Sequence, residues 1–169
     1  MPMVPEAVIA MLACARLGWS VESINVVSVH GRALSTVVQW LQPGRRLLVI
    51  SHGASTPGDV GALLQEHGFG ASPITVLEHL GGERERVTPC DSASVREGSF
   101  EALSLVAIDA RAGTEQPWWP RVPGLPDGAY EHDGQLTKRV VRAATLAALA
   151  PAPGQRLWDI GAGSGAISI

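Results

Sequence analysis

Near its carboxyl end the sequence carries a glycine-rich stretch that limits what this part of the chain can form. Residues 156–160 are a short, mainly apolar run that includes Asp159, and Gly161, Gly163 and Gly165 then alternate with small residues. A pattern of this kind is typical of a buried strand that turns tightly into a helix. Because glycine permits a positive φ and lets a ligand approach the backbone, the stretch predicts a cofactor-binding loop.

The spacing of these glycines distinguishes two classes of nucleotide-cofactor protein. A dinucleotide-binding turn has the pattern G-x-G-x-x-G, whereas the third glycine here comes one residue early and Asp159 lies two places before the first. The stretch resembles the first motif of Rossmann-like S-adenosylmethionine methyltransferases. That resemblance implies that Asp159, Gly161, Gly163 and Gly165 bind S-adenosylmethionine. A strand-to-helix turn without a ligand is the alternative.

Charge and cysteine content exclude several classes of partner and compartment. The formal net charge of -3 gives no electrostatic basis for binding nucleic acid or an anionic membrane. The two cysteines, Cys14 and Cys90, form neither a C-x-x-C motif nor a disulfide pattern. The apolar stretch 4–19 is interrupted by Glu6 and Arg16 and is too short to cross a bilayer. We therefore expect a cytoplasmic protein with no nucleic-acid or membrane partner.

Residues 1–112 alternate between helical and strand patterns. The alternation predicts a largely parallel α/β sheet with right-handed crossovers. A glycine pair then predicts a turn or hairpin, and the apolar run 103–109 predicts an interior strand. The predicted helices are 5–17, 33–41 and 56–67, and the predicted strands are 24–29, 46–50, 74–79, 86–90 and 103–109.

Prolines between residues 113 and 126 predict a linker, so that residues 127–169 form a second unit. A helix follows in this unit, and the run to Ile160 predicts the next strand. We expect the chain to be a piece of a longer protein, because one strand and one helix cannot bury a sheet face. The predicted helix has an apolar stripe of Leu136, Val140, Ala143 and Ala147 and a polar side of Lys138, Arg139 and Arg142.

Taken together, several of these segments resemble one protein family. Residues 15–19, 27–32 and 80–86 are similar to the latter half of the tetrapyrrole methylase unit of the precorrin-6Y C-methyltransferase family. Residues 124–127, 131–134, 137–138 and 158–165 are similar to the opening of that family's second, decarboxylating unit. The resemblance implies an α/β fold: the second subdomain of a tetrapyrrole methylase, then a linker and the first helix and strand of a Rossmann-like methyltransferase.

The resemblance also implies a function and a substrate. Members methylate a tetrapyrrole, the corrin precursor, at two carbons and decarboxylate an acetate side chain in cobalamin biosynthesis, with S-adenosylmethionine as methyl donor. In the tetrapyrrole methylase unit the cofactor lies between two subdomains, so this chain would supply one wall of that cleft and no complete active site. His30 and Arg32 follow a strand end, where Arg32 either meets a carboxylate of the macrocycle or is an ordinary surface arginine. Catalytic residues are not identified.

The residues leave two alternative functions open. A non-catalytic dimerisation or substrate-docking module, with a homo-oligomer as its consequence, is one alternative to the enzyme. An NAD(P)-dependent oxidoreductase fragment is another, which the glycine spacing disfavours. The charged run 83–86 predicts solvated ion pairs, and the histidines have no metal-ligand spacing, so that no metal site is predicted.

Overall fold

The computed structural model describes residues 6–114, 118–120, 122–152 and 154–168. The chain divides into two units, Met1–Trp118 and Trp119–Ile169. Their boundary falls inside the segment predicted as a linker, of which residues 115–117 and 121 lie outside the described residues, as does Pro5 at the predicted start of the first helix. The assignment of residues 1–112, 113–126 and 127–169 to three segments stays a prediction.

Secondary structure in the first unit follows the predicted alternation closely. The α-helices are α1 (Glu6–Leu17), α2 (Thr56–Glu66) and α3 (Ser94–Glu97), and the strands are β1 (Ile24–Ser28), β2 (Arg46–Ile50), β3 (Ile74–Glu78), β4 (Arg86–Cys90) and β5 (Ser104–Asp109). Two 3-10 helices, Val21–Ser23 and Leu34–Trp40, complete it. Helix α1 ends as expected at Gly18, whose φ is +66° and after which Trp19 N–H donates to the Cys14 carbonyl at 3.0 Å.

The segment predicted as the second helix, 33–41, is instead the 3-10 helix Leu34–Trp40. It contains Thr36, Val37 and Val38, whose β-branched side chains lose rotamer freedom in an α-helix. Val37 is fully buried in the core, so that packing of a short segment, and not helix propensity, sets its conformation.

The strands form one mixed sheet in the order β1-β2-β5-β3-β4. Only β1 and β2 pair in parallel, whereas β5 is antiparallel to both β2 and β3, and β4 is antiparallel to β3. The α/β class and the interior position of the last strand are confirmed, but the largely parallel sheet was wrong. Strands β1, β2 and β3 do run in one direction, as the helical crossovers predicted, and β5 then enters between β2 and β3 from the opposite direction.

Alternate residues of the central strands fill two separate cores. Leu47 and Val49 face one core and Leu48 faces the other, as the period of two along a strand requires. Val106 and Ile108 of β5 join the first core, which includes Val60 and Leu64 of α2, and Leu105 and Ala107 join the second, which includes Ala10, Ala13 and Cys14 of α1. The first unit is therefore a sheet covered by helices on both faces.

The second unit contains a 3-10 helix, Asp127–Ala129, and helix α4 (Arg139–Leu149). The strand predicted for the run to Ile160 is not formed, since residues 154–168 contain only turns and irregular backbone. Trp158 is 82% exposed and Ile160 is 92% exposed. A strand needs a neighbour for its backbone hydrogen bonds, and the described part of this unit supplies no second strand.

Arg142 of α4 was predicted on the polar side of the helix, but its side chain is fully buried. Its guanidinium donates to the Leu125 carbonyl at 2.5 Å, to Asp127 Oδ1 at 2.7 Å and also to the Thr137 carbonyl, and lies 5.0 Å from the Tyr130 ring centroid. Val140, predicted on the apolar stripe, is 79% exposed. Arg142 is covered by the segment that precedes α4, because that segment offers carbonyl and carboxylate acceptors to the arginine fork.

None of the helices in the described ranges is long and apolar enough to cross a membrane.

Replacing Arg142 by methionine should loosen the start of the second unit. The carbonyls of Leu125 and Thr137 and the Asp127 carboxylate would lose hydrogen bonds from a charged donor, a loss of about 2–4 kcal/mol, and the α4 amides should exchange hydrogen at least tenfold faster. Lys138→Met, at the exposed helix start, is the matched control and should leave exchange unchanged. Equal exchange rates in the unsubstituted chain, Arg142→Met and Lys138→Met would contradict a stabilising role of Arg142.

Helix α2 gives a second test of packing, because two of its glycines differ in their surroundings. A Cβ at Gly61 would lie 2.5 Å from Val95 Cγ1 and 2.9 Å from the Ser92 carbonyl, whereas a Cβ at Gly58 would meet nothing closer than 3.7 Å. Gly61→Ala should lower the free energy of unfolding by about 1–3 kcal/mol through overpacking. Gly58→Ala should leave it unchanged or raise it by up to about 1 kcal/mol. Urea denaturation of both variants would show the ranking, and a Gly61 variant as stable as the Gly58 variant would refute it.

Candidate functional site

The carboxyl ends of β1, β2 and β3 lie at one edge of the sheet, together with the amino end of β5. His30 follows β1, Ser51 follows β2 and His79 follows β3, while Ser104 begins β5. Loops after strand ends are the usual place for ligand contacts in α/β sheets. This edge, which we call the carboxyl edge, is the candidate site of the first unit.

His30 and Arg32, the predicted substrate contacts, lie on an exposed turn after β1. Gly31 between them has a φ of +72°, and Arg32 N–H donates to the Val29 carbonyl at 3.3 Å. Both side chains are exposed. Because β1 is the outermost strand on its side of the sheet, this turn lies at one end of the carboxyl edge. Strands β2 and β5 separate it from the loop that follows β3.

A small cleft of about 90 Å³ opens at the carboxyl edge. Two buried hydroxyl groups lie in its wall, and Ser104 Oγ donates to Ser51 Oγ at 2.9 Å. Apolar walls with a few fixed polar groups are typical of ligand sites, and the volume suits one part of a ligand. The cleft is lined by Ile9, Ile50, Ser51, Leu77, Leu80, Ala102, Leu103, Ser104 and Leu105.

The loop of residues 79–85 follows β3 and consists of two successive turns. Gly82 N–H donates to the His79 carbonyl at 2.9 Å, and Glu85 N–H donates to the Gly82 carbonyl at 3.1 Å. Gly81 has a φ of +79° and His79 has a φ of +47°. A left-handed conformation at a non-glycine residue costs on the order of 1–2 kcal/mol and persists where its surroundings hold it. His79 is therefore a strained point between β3 and the cleft residue Leu80.

Glu85 attaches this loop to helix α1. Its Oε1 accepts a hydrogen bond from Arg16 Nε at 2.5 Å, and its Oε2 accepts from Arg16 Nη2 at 3.1 Å and from Gly81 N–H at 2.7 Å. The Arg16 hydrogen bond, followed by that from Gly81, lowers the pKa of the Glu85 carboxyl. Glu85 thus forms an exposed ion pair, as the charge pattern of residues 83–86 predicts, but its partner lies 69 residues away in the sequence.

Glu78, the last residue of β3, is a buried carboxylate with a complete set of donors. Its side chain is 1% exposed, and Arg86 of the neighbouring strand donates to it through Nε at 2.6 Å and Nη2 at 2.7 Å. Glu101 N–H donates to its Oε1 at 2.8 Å. The hydrogen bond from Arg86 lowers the pKa of Glu78, and burial opposes this effect. The ion pair fixes β4 and the segment before β5 at the carboxyl edge.

His79 has a nitrogen that finds no hydrogen-bond partner in the described part of the chain. Its Nε2 is buried, and Glu101 Oε2 lies 3.9 Å away, beyond hydrogen-bond distance. Among the described residues no group of three histidine, cysteine, aspartate or glutamate side chains could hold a metal ion.

The glycine loop of the second unit has the backbone that its sequence predicts. Gly161, Gly163 and Gly165 have φ values of +79°, +56° and +70°. A Cβ at Gly161 or Gly163 would meet nothing within 4 Å, so that backbone conformation and not packing explains these glycines. Asp159 Oδ2 is buried and has no hydrogen-bond donor among the described residues. The four residues predicted to bind cofactor thus lie on one open loop with an unpaired acceptor.

The structure adds site residues that the sequence did not single out. Ser51 lacks the glycine frame of a nucleophile elbow, and Ser104 is one residue of an apolar strand. They meet only because β5 pairs with β2, a contact across 53 residues that no local pattern encodes.

Comparison with known proteins first shows similarity to precorrin methyltransferases. A sequence profile of the precorrin methyltransferase domain matches residues 128–169, which include the glycine loop. The precorrin-6Y C(5,15)-methyltransferase [decarboxylating] of Sinorhizobium sp is 48% identical over 94% of this chain and 38% of its own length. The enzyme of the same name from Mycobacterium tuberculosis is 41% identical over 98% of this chain and 41% of its own length.

Both relatives carry the same enzyme name. The chain is similar to precorrin-6Y C-methyltransferases along nearly its whole length, which confirms the resemblance seen in its sequence. It spans about two fifths of the length of these relatives.

Solved structures with a related arrangement are more distant. The precorrin-6Y methylase of Archaeoglobus fulgidus aligns with 61% of this chain and 45% of its own at 20% identity, with a TM-score of 0.41. Diphthine synthase aligns with the same shares of each chain at 13% identity, with a TM-score of 0.48. Likeness at this level carries no functional information.

The Glu78–Arg86 pair makes a prediction about acid stability. Because the pKa of Glu78 is lowered in the folded state, the stabilisation is fully present above the ordinary glutamate pKa of about 4.3 and is lost as the pH falls through the lower folded value. Glu78→Gln should lower the free energy of unfolding by about 1–3 kcal/mol at pH 7, because hydrogen bonds to a charged group are lost.

The difference from the wild type should shrink as the pH falls through the folded-state pKa. Urea denaturation at a series of pH values would measure this convergence. Glu97→Gln, at an exposed carboxylate of α3, is the control and should track the wild type. A constant difference between Glu78→Gln and the wild type at all pH values would contradict the assignment.

Proposed function

We propose that this chain is part of an S-adenosylmethionine-dependent precorrin-6Y methyltransferase, which methylates a tetrapyrrole at two carbons and decarboxylates an acetate side chain. The observation that carries the proposal is similarity to enzymes of that name over 94% and 98% of the chain, which includes both units. A relative of only one unit would have left the other unexplained. The cytoplasmic location remains part of this proposal, on the basis of the sparse cysteines.

The residues of the second unit fit the proposed cofactor. Asp159 Oδ2 is a buried acceptor without a donor, and the ligand's amine or hydroxyl groups would supply one. The space above Gly161 and Gly163 is free of protein atoms within 4 Å of a would-be Cβ, so that a ligand can approach the backbone. We therefore assign cofactor binding to Asp159, Gly161, Gly163 and Gly165.

For the first unit we propose that the carboxyl edge forms one wall of a second cofactor cleft. The support is the position of the cleft of about 90 Å³ at the strand ends and its pair of buried hydroxyls. His30 and Arg32 lie on the same edge, and their exposure leaves them available to carboxylates of the tetrapyrrole. Residues 1–112 and 127–169 then contribute to different methyl-transfer units, joined by 113–126.

The chemistry asks little acid-base work of the protein. S-adenosylmethionine supplies a methyl group on a sulfonium, which is a good leaving group, so the chain's own residues mainly bind and orient. Asp159 would fix the cofactor by accepting hydrogen bonds, and the glycine backbone would let it approach closely. Arg32 would hold a substrate carboxylate through its planar fork.

The experiment is a calorimetric titration of S-adenosylhomocysteine into this chain and into the product of the same coding region extended on both sides. In the extended protein, Gly161→Ala should weaken binding at least tenfold, because the motif backbone shifts to relieve a strain of about 1–2 kcal/mol. Gly154→Ala is the matched control, since Gly154 has a φ of +85° and equally open surroundings. Its affinity should match the unsubstituted protein.

Three results would speak against the proposal. Equal weakening by both substitutions would assign the effect to strain in the unit and not to the motif. Tighter binding of a nicotinamide dinucleotide than of S-adenosylhomocysteine would favour the oxidoreductase. Absence of binding by every folded form would favour a docking module.

A further inference from the structure

The loop of residues 79–85 is held by one carboxylate at a single backbone amide. Glu85 Oε2 accepts from Gly81 N–H at 2.7 Å, while Arg16 of α1 holds both oxygens of that carboxylate, at 2.5 and 3.1 Å. Arg16 therefore orients Glu85, and Glu85 orients the amide. Because Arg16 fixes the position of the carboxylate, the Gly81 N–H must point towards that position to donate to it.

That amide belongs to the peptide between Leu80 and Gly81. Leu80 lines the cleft at the carboxyl edge. A peptide group is planar and its N–H and C=O point in opposite directions, so that fixing Gly81 N–H also fixes the direction of the Leu80 carbonyl. On its other side, a Cβ at Gly81 would lie 3.3 Å from Leu12 Cδ1, so α1 packs closely against this turn.

The conformation that results is one that the loop would not hold unaided. His79 has a φ of +47°, in the region that non-glycine residues avoid, and it directly precedes Leu80. A free loop would relax this residue and move Leu80 relative to Ser51 and Ser104. Glu85, at the end of the loop, opposes that relaxation because it connects the Gly81 amide to Arg16 of α1.

We propose that Glu85, oriented by Arg16, is a positioning residue that fixes the Leu80–Gly81 peptide at the rim of the cleft lined by Ser51 and Ser104. This inference rests on the proposed function, in which that cleft forms part of a cofactor site. The ligand class is accordingly S-adenosylmethionine and its product. Glu85 acts through the loop backbone and does not touch the ligand.

A plain surface ion pair is the competing explanation. Ion pairs between exposed groups contribute little to stability, and such a pair would serve only to attach α1 to the loop. The two explanations differ in what the carboxylate does for Gly81. An arginine at position 85 can pair with a glutamate at position 16, but it has no acceptor for the amide.

The test uses three variants in the protein extended on both sides, with S-adenosylhomocysteine as the calorimetric probe. Glu85→Ala should raise the Kd by roughly tenfold, the loss expected for one positioning hydrogen bond. Glu83→Ala, at an exposed acid in the same loop, should leave it unchanged. The charge swap, Arg16→Glu combined with Glu85→Arg, should bind S-adenosylhomocysteine as weakly as Glu85→Ala does.

Hydrogen exchange of the Gly81 amide in this chain supplies a readout that is independent of binding. The amide should be protected in the unsubstituted chain and lose protection in Glu85→Ala and in the charge swap, but not in Glu83→Ala. Restoration of affinity by the charge swap would overturn the proposal, because a simple ion pair would then suffice. Loss of protection with unchanged affinity would also overturn it and leave the proposed function intact. Absence of binding by the unsubstituted extended protein would overturn both.

Discussion

Strand β5 hydrogen-bonds to β2 on one side and to β3 on the other, so that the two halves of the sheet are joined through it. Both cores of the first unit and its candidate site depend on this double pairing. Its residues Leu105 to Ile108 alternate between the two cores, so one strand supplies apolar side chains to the layers beneath α1 and α2. A strand buried on both faces and paired on both edges has no exposed polar backbone, which suits its almost wholly apolar sequence.

The candidate site follows from the direction in which β5 enters the sheet. Because it is antiparallel to β2 and β3, its first residue, Ser104, meets the last residues of those strands. A parallel β5 would have brought its last residue, Asp109, to that edge instead. The hydroxyl pair of Ser51 and Ser104, and the contact between Glu78 and the backbone of Glu101, both result from this one reversal.

Local signals in the sequence predicted much of the secondary structure but few of the contacts. The helix end at Gly18, the interior position of β5 and the positive φ values of the glycine loop were all predictable, because each depends on residues that are near neighbours in the chain. Strand direction was not, since nothing within residues 103–109 says which way the strand runs. The position of Arg142 was wrongly predicted for a similar reason: helical periodicity puts it on a polar face, and the acceptors of the preceding segment bury its side chain there.

The same distinction separates the two proposed cofactor contacts. In the second unit, the backbone of the glycine loop keeps its left-handed residues although the expected strand before it is absent, so its conformation is encoded by the glycines themselves. In the first unit, the cleft is assembled from α1, β2, β3 and β5, and the loop at its rim is held by an arginine from the start of the chain. A sequence motif can therefore reveal a contact such as the glycine loop, which the matching sequence profile includes. The contact at the cleft depends on a carboxylate, Glu85, whose charge pattern in the sequence is indistinguishable from that of its exposed neighbour Glu83. Only the position of α1 beside the turn separates the two acids, which is why a three-dimensional structure is required to assign a role to one of them.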